Sequence, residues 1–335
     1  MQRRSAALNA DTHVRCFAAQ SARPGAPPLL LRLYGTPSTG EAAARALFSR
    51  ASEVAVAEAT AALGAGPRVF ALFANGRLEE FLPGEPLSAP AMRTPAVAAA
   101  VAAQLARFHV AATARLGGDC DLFSRLSDWH AKALVAAAAR PPGADLMQRL
   151  AETPARLEAL RQAMAPWAAS GKPGSGTVFA HADLQHNNIL LLNNSGAEQS
   201  TAVHVALVDY EYALRAPAAF DIGNHFCERA ADYAEAPLDG GGMLNYPLRY
   251  PGAAERVAFC AAYLAALPGG DTADAAAAEA LADAADAAAA ASHAVWALWG
   301  VCQAVSSSID WDFLGYARQR FDAWDAHAAR RAAQA

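Results

Sequence analysis

The sequence predicts an α+β protein with a small β-rich amino-terminal lobe and a larger helical carboxy-terminal lobe. Short apolar runs alternate with one helical segment up to residue 87, and helical periodicity dominates after it. Alanine contributes much of the 54% hydrophobic content and favours helix. A chain of 335 residues is long enough for about two domains. We therefore expect one domain at residues 1–87 and a second at residues 88–335.

The amino-terminal lobe reads as a small sheet with one helix. The run LLLRLYG at residues 29–35 predicts a strand, and the composition of residues 41–63 predicts a helix. The runs at residues 68–73 and 76–82 meet across Asn75-Gly76, a dipeptide that favours a hairpin turn. The prolines of PGEPL at residues 83–87 then end the pattern, which places the domain boundary there.

The carboxy-terminal lobe is predicted to be mostly helical. Thr94-Pro95 is a plausible cap and first turn for a helix over residues 94–109. Further helices are expected at residues 123–139, 145–169, 253–266, 271–304 and 309–331, and a long surface loop at residues 234–252. A β-like segment interrupts them, with strands over residues 188–192 and 203–208 that place polar side chains at strand ends.

Composition excludes several classes of protein. The 27 basic and 32 acidic side chains give a net charge of −5, so no basic field for nucleic acid is present. The five cysteines are single and lack zinc-site spacing, which indicates reduced thiols. The amino terminus has no apolar run after its basic start, and acidic residues interrupt the alanine-rich stretch after Asp271. We expect a cytoplasmic protein without membrane insertion.

One constellation has the layout of a phosphoryl-transfer site. The segment HADLQHNN at residues 181–188 is followed, 26 residues after Asp183, by Asp209 in VDYEY. Such a site needs a carboxylate that accepts the proton of an attacking hydroxyl, for which Asp183 is the candidate. It also needs hard oxygen ligands for Mg²⁺, for which Asn188 and Asp209 are candidates. The alternative is a polar turn with an unrelated aspartate.

With these motifs, the chain resembles the choline/ethanolamine kinase family, a branch of the aminoglycoside-phosphotransferase and protein-kinase-like fold. FDIGNHFCE is specific to this branch, whereas the catalytic motif alone indicates only a small-molecule kinase. The matching segments lie at residues 29–35, 75–84, 181–192, 207–228, 291–304 and 312–321. The resemblance implies a two-lobed fold and ATP- and Mg²⁺-dependent phosphorylation of choline to phosphocholine, the first step of a phosphatidylcholine branch pathway. Ethanolamine kinase is the alternative, and a weakly active pseudokinase-like binding protein is a third reading.

The resemblance also assigns the nucleotide site. Arg32 matches the strand cation that holds nucleotide phosphates, and Glu53 matches the helix carboxylate that orients it; the alternative is that Arg32 is a strand-edge cation and Glu53 a solvated helix charge. Glu80, Phe81 and Leu82 match the hinge whose backbone binds adenine, and Gln185 on the catalytic loop is assigned to the same site. The phosphate-loop position reads LNADTHVRC, without glycine, and the helical segment that precedes it in relatives is expected to be missing.

The acceptor pocket follows from the chemistry of a quaternary ammonium, which has no N–H to donate. Aromatic faces and a nearby carboxylate must recognise it, with each cation–π contact worth about 0.5–2 kcal/mol. Trp296 and Trp299 lie three residues apart on one helix face, and by resemblance they form the pocket with Tyr316, Tyr233 and Glu228. Without the family, two core tryptophans would be the better reading.

Two further residues are assigned supporting roles by the resemblance, and one further enzyme class stays open. The resemblance makes Asp221 the buried carboxylate that holds the catalytic loop, and His181 supports that loop because Asp183 already supplies a base. An aminoglycoside-type kinase would lack the paired tryptophans. The resemblance allows a homodimer.

Overall fold

The computed structural model describes residues 15–19, 28–34, 47, 50–117, 121–193, 202–233, 243–270, 274–307 and 309–333. The amino-terminal lobe contains an antiparallel sheet of order β1-β2-β4-β3 and one helix in this part of the chain. Its elements are β1 (Arg15–Ala19), β2 (Leu29–Leu33), α1 (Arg50–Ala62), β3 (Val69–Phe73) and β4 (Gly76–Glu80).

The sheet confirms the predicted strand and hairpin and adds β1. Phe73 pairs with Gly76 at the hairpin end, as the Asn75-Gly76 signal indicated. The helix predicted at residues 41–63 is described only from Arg50 to Ala62. The LNADTHVRC segment lies outside the described residues apart from Arg15 and Cys16 in β1. In the β2–β4 register Arg32 stands opposite Arg77, so the sheet centre needs carboxylates to offset two neighbouring guanidiniums.

Helices make up most of the second lobe, and the longest, α9, packs against α4, α6, α8 and α10. Their bounds are α2 (Ala89–Met92), α3 (Pro95–Arg115), α4 (Leu122–Ala139), α5 (Ala144–Ala168), α6 (Ala218–Arg229), α7 (Tyr246–Arg249), α8 (Ala253–Ala265), α9 (Ala275–Ser306) and α10 (Phe313–Ala332). The six predicted helices are confirmed with small shifts at their ends. The prediction of an uninterrupted loop over residues 234–252 is wrong at α7, and α6 was not predicted.

Two small sheets carry the polar loops of the second lobe. One has the order β5-β7-β8, with β5 (Gly84–Pro86), β7 (Ile189–Leu192) and β8 (Val205–Leu207). The other pairs β6 (Thr177–Ala180) with β9 (Leu214–Pro217). Because β5 precedes residue 87 and pairs with β7, it joins the two lobes. The loops at residues 181–188 and 208–213 therefore begin and end on neighbouring strands.

Helix α6 brings the branch-specific segment into the core. All of its residues are buried, and a Cβ added at Gly223 would lie 2.4 Å from the Ala285 carbonyl oxygen of α9. Only glycine permits this close approach of the two helices. The contact holds α6 against α9, where Asn224 accepts a hydrogen bond from Trp296 Nε1 at 2.9 Å.

Helices α3 and α9 are each long and apolar enough to cross a membrane by length and composition. The expectation that acidic residues leave no apolar stretch of spanning length is therefore wrong for these two helices. Within the fold, 89% of the apolar window of α9 and 56% of that of α3 is buried. Core helices of soluble proteins have the same character, so length and apolarity are weak evidence for a span here.

Candidate active site

The catalytic loop at residues 181–188 is held by Asp221 in the first turn of α6. Its two carboxylate oxygens accept hydrogen bonds from the backbone N–H groups of His181 (2.6 Å) and Ala182 (2.8 Å). His109 Nε2 lies 2.8 Å from the same carboxylate. Burial alone would raise the pKa of Asp221, but the hydrogen bond and charge of His109 and the Ala182 N–H hold it below its usual value. A charged carboxylate thus fixes the loop, including the left-handed backbone of Ala182 (φ 64°).

His181 is fully buried, and both of its ring nitrogens are engaged. Nε2 lies 3.1 Å from the Val208 carbonyl oxygen, which can only accept, so Nε2 carries the proton. Nδ1 then accepts from the Asp183 N–H at 3.3 Å. Burial lowers the pKa of His181 and keeps the ring neutral at neutral pH. These contacts suit a residue that links the two polar loops and do not suit a proton shuttle.

Asp183 has the environment of a general base. Its side chain is 6% exposed, and its carboxylate accepts a hydrogen bond from Asn188 Nδ2 at 2.7 Å. Burial, followed by the charges of Glu228 and Asp209, raises the pKa of Asp183 well above its ordinary value, while the Asn188 hydrogen bond acts against the rise. A carboxylate with a raised pKa is a stronger base, as a group that takes a proton from a hydroxyl must be.

Asn188 and Asp209 present the oxygens expected of a magnesium site. Asn188 donates its amide N–H groups to Asp183, which turns the opposite Oδ1 atom toward other partners. Asp209 follows β8 with a left-handed backbone (φ 69°), and its carboxylate raises the pKa of Asp183, so the two loops meet. No group of three or more His, Cys, Asp or Glu side chains among the described residues could hold a metal ion. The amide oxygen of Asn188 and the carboxylate of Asp209 are the hard oxygen donors that fit Mg²⁺, which takes few protein oxygens and completes its shell with phosphates and water.

A charge network connects Asp209 to the sheet of the amino-terminal lobe. Arg32 Nη1 lies 3.3 Å from Asp209 Oδ1 and 3.5 Å from Glu53 Oε1, so the predicted pair is present within a larger cluster. Arg77 makes the shorter contact with Glu53 (2.7 Å) and also binds Glu79 (2.6 Å). Sequence reasoning missed Arg77 and Glu79, although both lie in the hairpin segment it quoted.

Glu211 is a second carboxylate that sequence reasoning missed. It stands two residues after Asp209 in VDYEY and is 3% exposed. Burial, followed by the charges of Asp209 and Glu53, raises its pKa well above the ordinary value. Its position two residues from Asp209, within the motif VDYEY, was the available signal.

The hinge residues lie at the end of β4. The backbone N–H groups of Glu80 and Phe81 donate to the carbonyls of Arg68 (2.8 Å) and Pro28 (3.3 Å), and the Glu80 side chain pairs with Arg68. If adenine bound the backbone N–H groups of Glu80 and Phe81, it would have to replace these hydrogen bonds. Leu82 is therefore the better placed donor of the three. Gln185 uses its side-chain oxygen to accept from the N–H of Asn187 (3.1 Å), which caps the turn His186–Asn188.

The aromatic side chains of α9 and α10 form one cluster. Trp296 and Trp299 contact each other edge to face at 5.6 Å, and Trp299 contacts Tyr316 at 5.9 Å. Tyr212 lies 5.4 Å from Trp296 and accepts a hydrogen bond from Trp299 Nε1 at 2.9 Å. Trp311 contacts Tyr316 at 5.2 Å. Sequence reasoning missed Tyr212, the last residue of VDYEY, and Trp311, which directly precedes the segment at residues 312–321.

Glu228 lies at the end of α6 beside this cluster and has two donors. Tyr233 donates its hydroxyl to Oε2 at 2.7 Å, and Arg320 of α10 forms an ion pair with Oε1. Arg320 is fully buried, also donates to the Tyr316 hydroxyl at 2.9 Å, and lies over the Tyr316 ring. Sequence reasoning placed Glu228 in the pocket without this guanidinium, although Arg320 falls in the quoted segment DFLGYARQRF. The carboxylate is thus neutralised within the protein.

Comparison with known proteins shows which family the chain belongs to. The family model described as Choline/ethanolamine kinase matches residues 12–325. A probable choline kinase 3 of Arabidopsis thaliana is 33% identical over 88% of this chain and 76% of its own length, and a human choline/ethanolamine kinase is 31% identical over 88% and 70%.

Solved structures show the same fold. A choline kinase from Cryptosporidium parvum superposes with a TM-score of 0.75 at 22% identity, over 96% of this chain and 87% of that one. An ethanolamine kinase of Plasmodium vivax gives a TM-score of 0.68 at 19% identity, over 93% and 82%. The two-lobed kinase-like fold predicted from the sequence is confirmed, and the chain belongs to the choline/ethanolamine kinase family of small-molecule kinases.

Proposed function

We propose that this chain transfers the terminal phosphoryl group of ATP to the hydroxyl group of choline, giving phosphocholine. The observation that carries the proposal is that Glu228, whose charge acts on Asp183, is paired with Arg320, which lies over the Tyr316 ring of the aromatic cluster. The family membership supports the reaction class, and the arrangement argues for the acceptor. Phosphocholine is a precursor for a choline phospholipid, which is the proposed role.

Asp183 is the proposed base that takes the hydroxyl proton as the oxygen attacks the phosphorus atom. Its raised pKa favours proton uptake, and Asn188 holds the carboxylate in one orientation. Asn188 Oδ1 and Asp209 would hold Mg²⁺, which neutralises charge on the phosphates when bound. His181 and Asp221 keep the loop in place.

The nucleotide is proposed to bind between the lobes. Arg32 lies against Asp209 and is held by Glu53, so its guanidinium stands where phosphates would approach the metal site. The backbone of Glu80, Phe81 and Leu82 is the proposed adenine contact, with Leu82 the better placed donor. Gln185 stays a proposed nucleotide-site residue through its position on the catalytic loop.

The two acceptors differ in the number of hydrogen bonds that their ammonium groups can donate. A primary ammonium such as that of ethanolamine carries three N–H donors and needs acceptors, whereas a quaternary ammonium needs none. Glu228, the pocket carboxylate, already accepts from Tyr233 and Arg320. The rings of Trp296 and Trp299 supply the faces that attract a quaternary cation. Choline is therefore the favoured acceptor, and ethanolamine is the second candidate because relatives named for both substrates match the chain.

Steady-state kinetics with ATP and Mg²⁺ on choline and ethanolamine side by side test the proposal. We expect turnover of both or of choline alone, with the higher kcat/KM for choline and phosphocholine identified by mass spectrometry. Asp183→Asn is the matched control for contaminating kinases. A folded protein that turns over neither substrate, or that prefers ethanolamine, would contradict the proposed activity or the proposed acceptor, respectively.

Two further sequence predictions stay proposals. A cytoplasmic location is tested by cell fractionation, and the homodimer that the resemblance allows is tested by sedimentation velocity.

A further inference from the structure

Arg77 is a buried arginine of the amino-terminal sheet to which the proposed mechanism gives no role. In the β2–β4 register it stands directly opposite Arg32, the proposed phosphate ligand. Side chains that stand opposite each other in an antiparallel pair share one face of the sheet, and like charges in that arrangement repel. The carboxylates of Glu53 and Glu79 lie against both guanidiniums and offset this repulsion.

Both carboxylates give their short contacts to Arg77. Its Nη1 donates to Glu53 Oε1 at 2.7 Å, and its Nε donates to Glu79 Oε2 at 2.6 Å. Nη1 also donates to the Tyr34 hydroxyl at 3.0 Å. The two contacts with the carboxylates have the short length of charge-assisted hydrogen bonds. With a side chain that is 2% exposed, Arg77 is committed to these partners and is not presented to a ligand.

Arg32 receives the long contacts of the same two carboxylates. Its Nη1 lies 3.5 Å from Glu53 Oε1, and its Nε lies 3.4 Å from Glu79 Oε1. Nε is buried and has no hydrogen-bond partner among the residues that the structure describes. Nη1 donates a hydrogen bond to Asp209, the proposed metal ligand, at 3.3 Å. The guanidinium of Arg32 is therefore held loosely by the sheet and points toward the metal-site loop.

The shared carboxylates make the position of Arg32 depend on Arg77. Without the charge of Arg77, the buried carboxylate of Glu79 would keep Arg32 as its ion-pair partner in the described part of the chain. A buried carboxylate that loses its partner is costly, so it draws in the cation within reach. Glu53 would still pair with Arg50. Arg32 would consequently move onto Glu79 and away from the metal-site loop.

We propose that Arg77 is a positioning residue of the nucleotide site. It holds Glu53 and Glu79 at short range and so leaves the guanidinium of Arg32 to the phosphates of the nucleotide. This inference rests on the proposed function, because that function places phosphates beside Arg32. Arginine suits position 77 because its Nε and Nη1 reach separate carboxylates, whereas the ammonium of lysine is a single point charge.

Isothermal titration calorimetry with ADP at saturating Mg²⁺ tests the inference in the full chain without turnover. Arg77→Gln should raise the Kd for ADP about tenfold, the effect of losing one hydrogen bond to a charged group. The added change Glu79→Gln removes the carboxylate that would capture Arg32, so the double variant should recover most of the affinity. KM for choline should change little in either variant, because the partners of Arg77 lie outside the proposed acceptor pocket.

Arg50→Gln is the matched control. It removes the same charge beside Glu53 but leaves Arg77 on both carboxylates. Since the Arg50 side chain is 25% exposed and its charge is partly screened, the Kd for ADP should change by less than about twofold. A loss as large as that of Arg77→Gln would overturn the inference, because any positive charge of the cluster would then serve equally.

Three other results would also overturn it. Unchanged ADP binding in folded Arg77→Gln would do so and would leave the proposed function intact. A double variant that binds ADP no better than Arg77→Gln would show that the loss does not act through Glu79. If the unmodified chain does not bind ADP, the proposed nucleotide site and this inference fail together. Where melting curves show that Arg77→Gln does not fold, Arg77→Lys decides the question: its Kd should be about threefold higher than that of the unmodified chain, and an equal Kd would overturn the inference.

Discussion

Replacement of Asn188 by alanine separates two roles that the structure combines in one side chain. Its amide nitrogen donates to the carboxylate of Asp183 (2.7 Å) and to the carbonyl oxygen of the same residue (2.8 Å), while its oxygen is a proposed magnesium ligand. The hydrogen bond to the carboxylate lowers the pKa of Asp183 against burial and the charges of Glu228 and Asp209. Its removal should therefore raise the pKa of Asp183 further.

The size of the effect follows from the worth of that hydrogen bond. A hydrogen bond to a charged group contributes about 1.5–3 kcal/mol, and 1.36 kcal/mol corresponds to one pKa unit. The acidic limb of the kcat/KM profile should move upward by about one to two pH units. Asp183 acts as a base only when it is deprotonated, so the variant should lose activity at neutral pH and regain part of it as the pH rises.

The assay is the pH profile of kcat/KM for choline at saturating Mg²⁺ and ATP. Saturating metal removes the contribution of weaker magnesium binding, so the displaced limb reports the base alone. Asn187→Ala is the matched control, because the Asn187 side chain lies in the same turn and contacts Gln185. An acidic limb in Asn188→Ala that coincides with that of the unmodified enzyme would refute the reasoning and confine Asn188 to the metal.

Four further outcomes are expected. Asp183→Asn should lower kcat by about 10²–10⁴, and more than a tenth of normal kcat would contradict the assignment. At pH values above the folded-state pKa of Asp183, this variant should also have a higher Tm than the unmodified chain, because a buried carboxylate with a raised pKa loses stability as the pH rises through that pKa. Asp209→Ala should raise the Mg²⁺ concentration needed for half-maximal turnover, and a magnesium titration that superimposes on that of the unmodified enzyme would contradict the metal site. Trp299→Ala should raise KM for choline about 5–30-fold and KM for ethanolamine less, whereas Trp299→Phe should be milder; an unchanged substrate ratio in a variant with lowered Tm would mean that Trp299 serves only the core. Arg320→Gln should cost about 3–5 kcal/mol of unfolding free energy in urea denaturation, because it leaves the buried Glu228 carboxylate without its partner; the added change Glu228→Gln should recover part of the loss, and simple additivity would contradict the coupling.

Local patterns were enough to predict most of the elements. Helical periodicity and the Thr94-Pro95 start located α3, and Asn75-Gly76 located the β3–β4 hairpin, because capping and turn preferences depend on residues close in the chain. Helix α6 was not predicted, and its burial on every side could not be read from a segment that carries His, Asp, Asn and Glu. Segment α7 was hidden by the Gly- and Pro-rich composition around it.

The sequence by itself determined the reaction class, because the two motifs that contain Asp183, Asn188 and Asp209 are short and local. Only the tertiary structure decided which charges meet. Arg320 reaches Glu228 across 92 positions, and Arg77 reaches Glu53 across 24. Buried charges must find partners wherever the packing brings opposite charges together, and packing of α10 on α6 or of a strand on α1 leaves no trace in local spacing. The reaction class could therefore be predicted from the chain, whereas the ion pair between Glu228 and Arg320 could not.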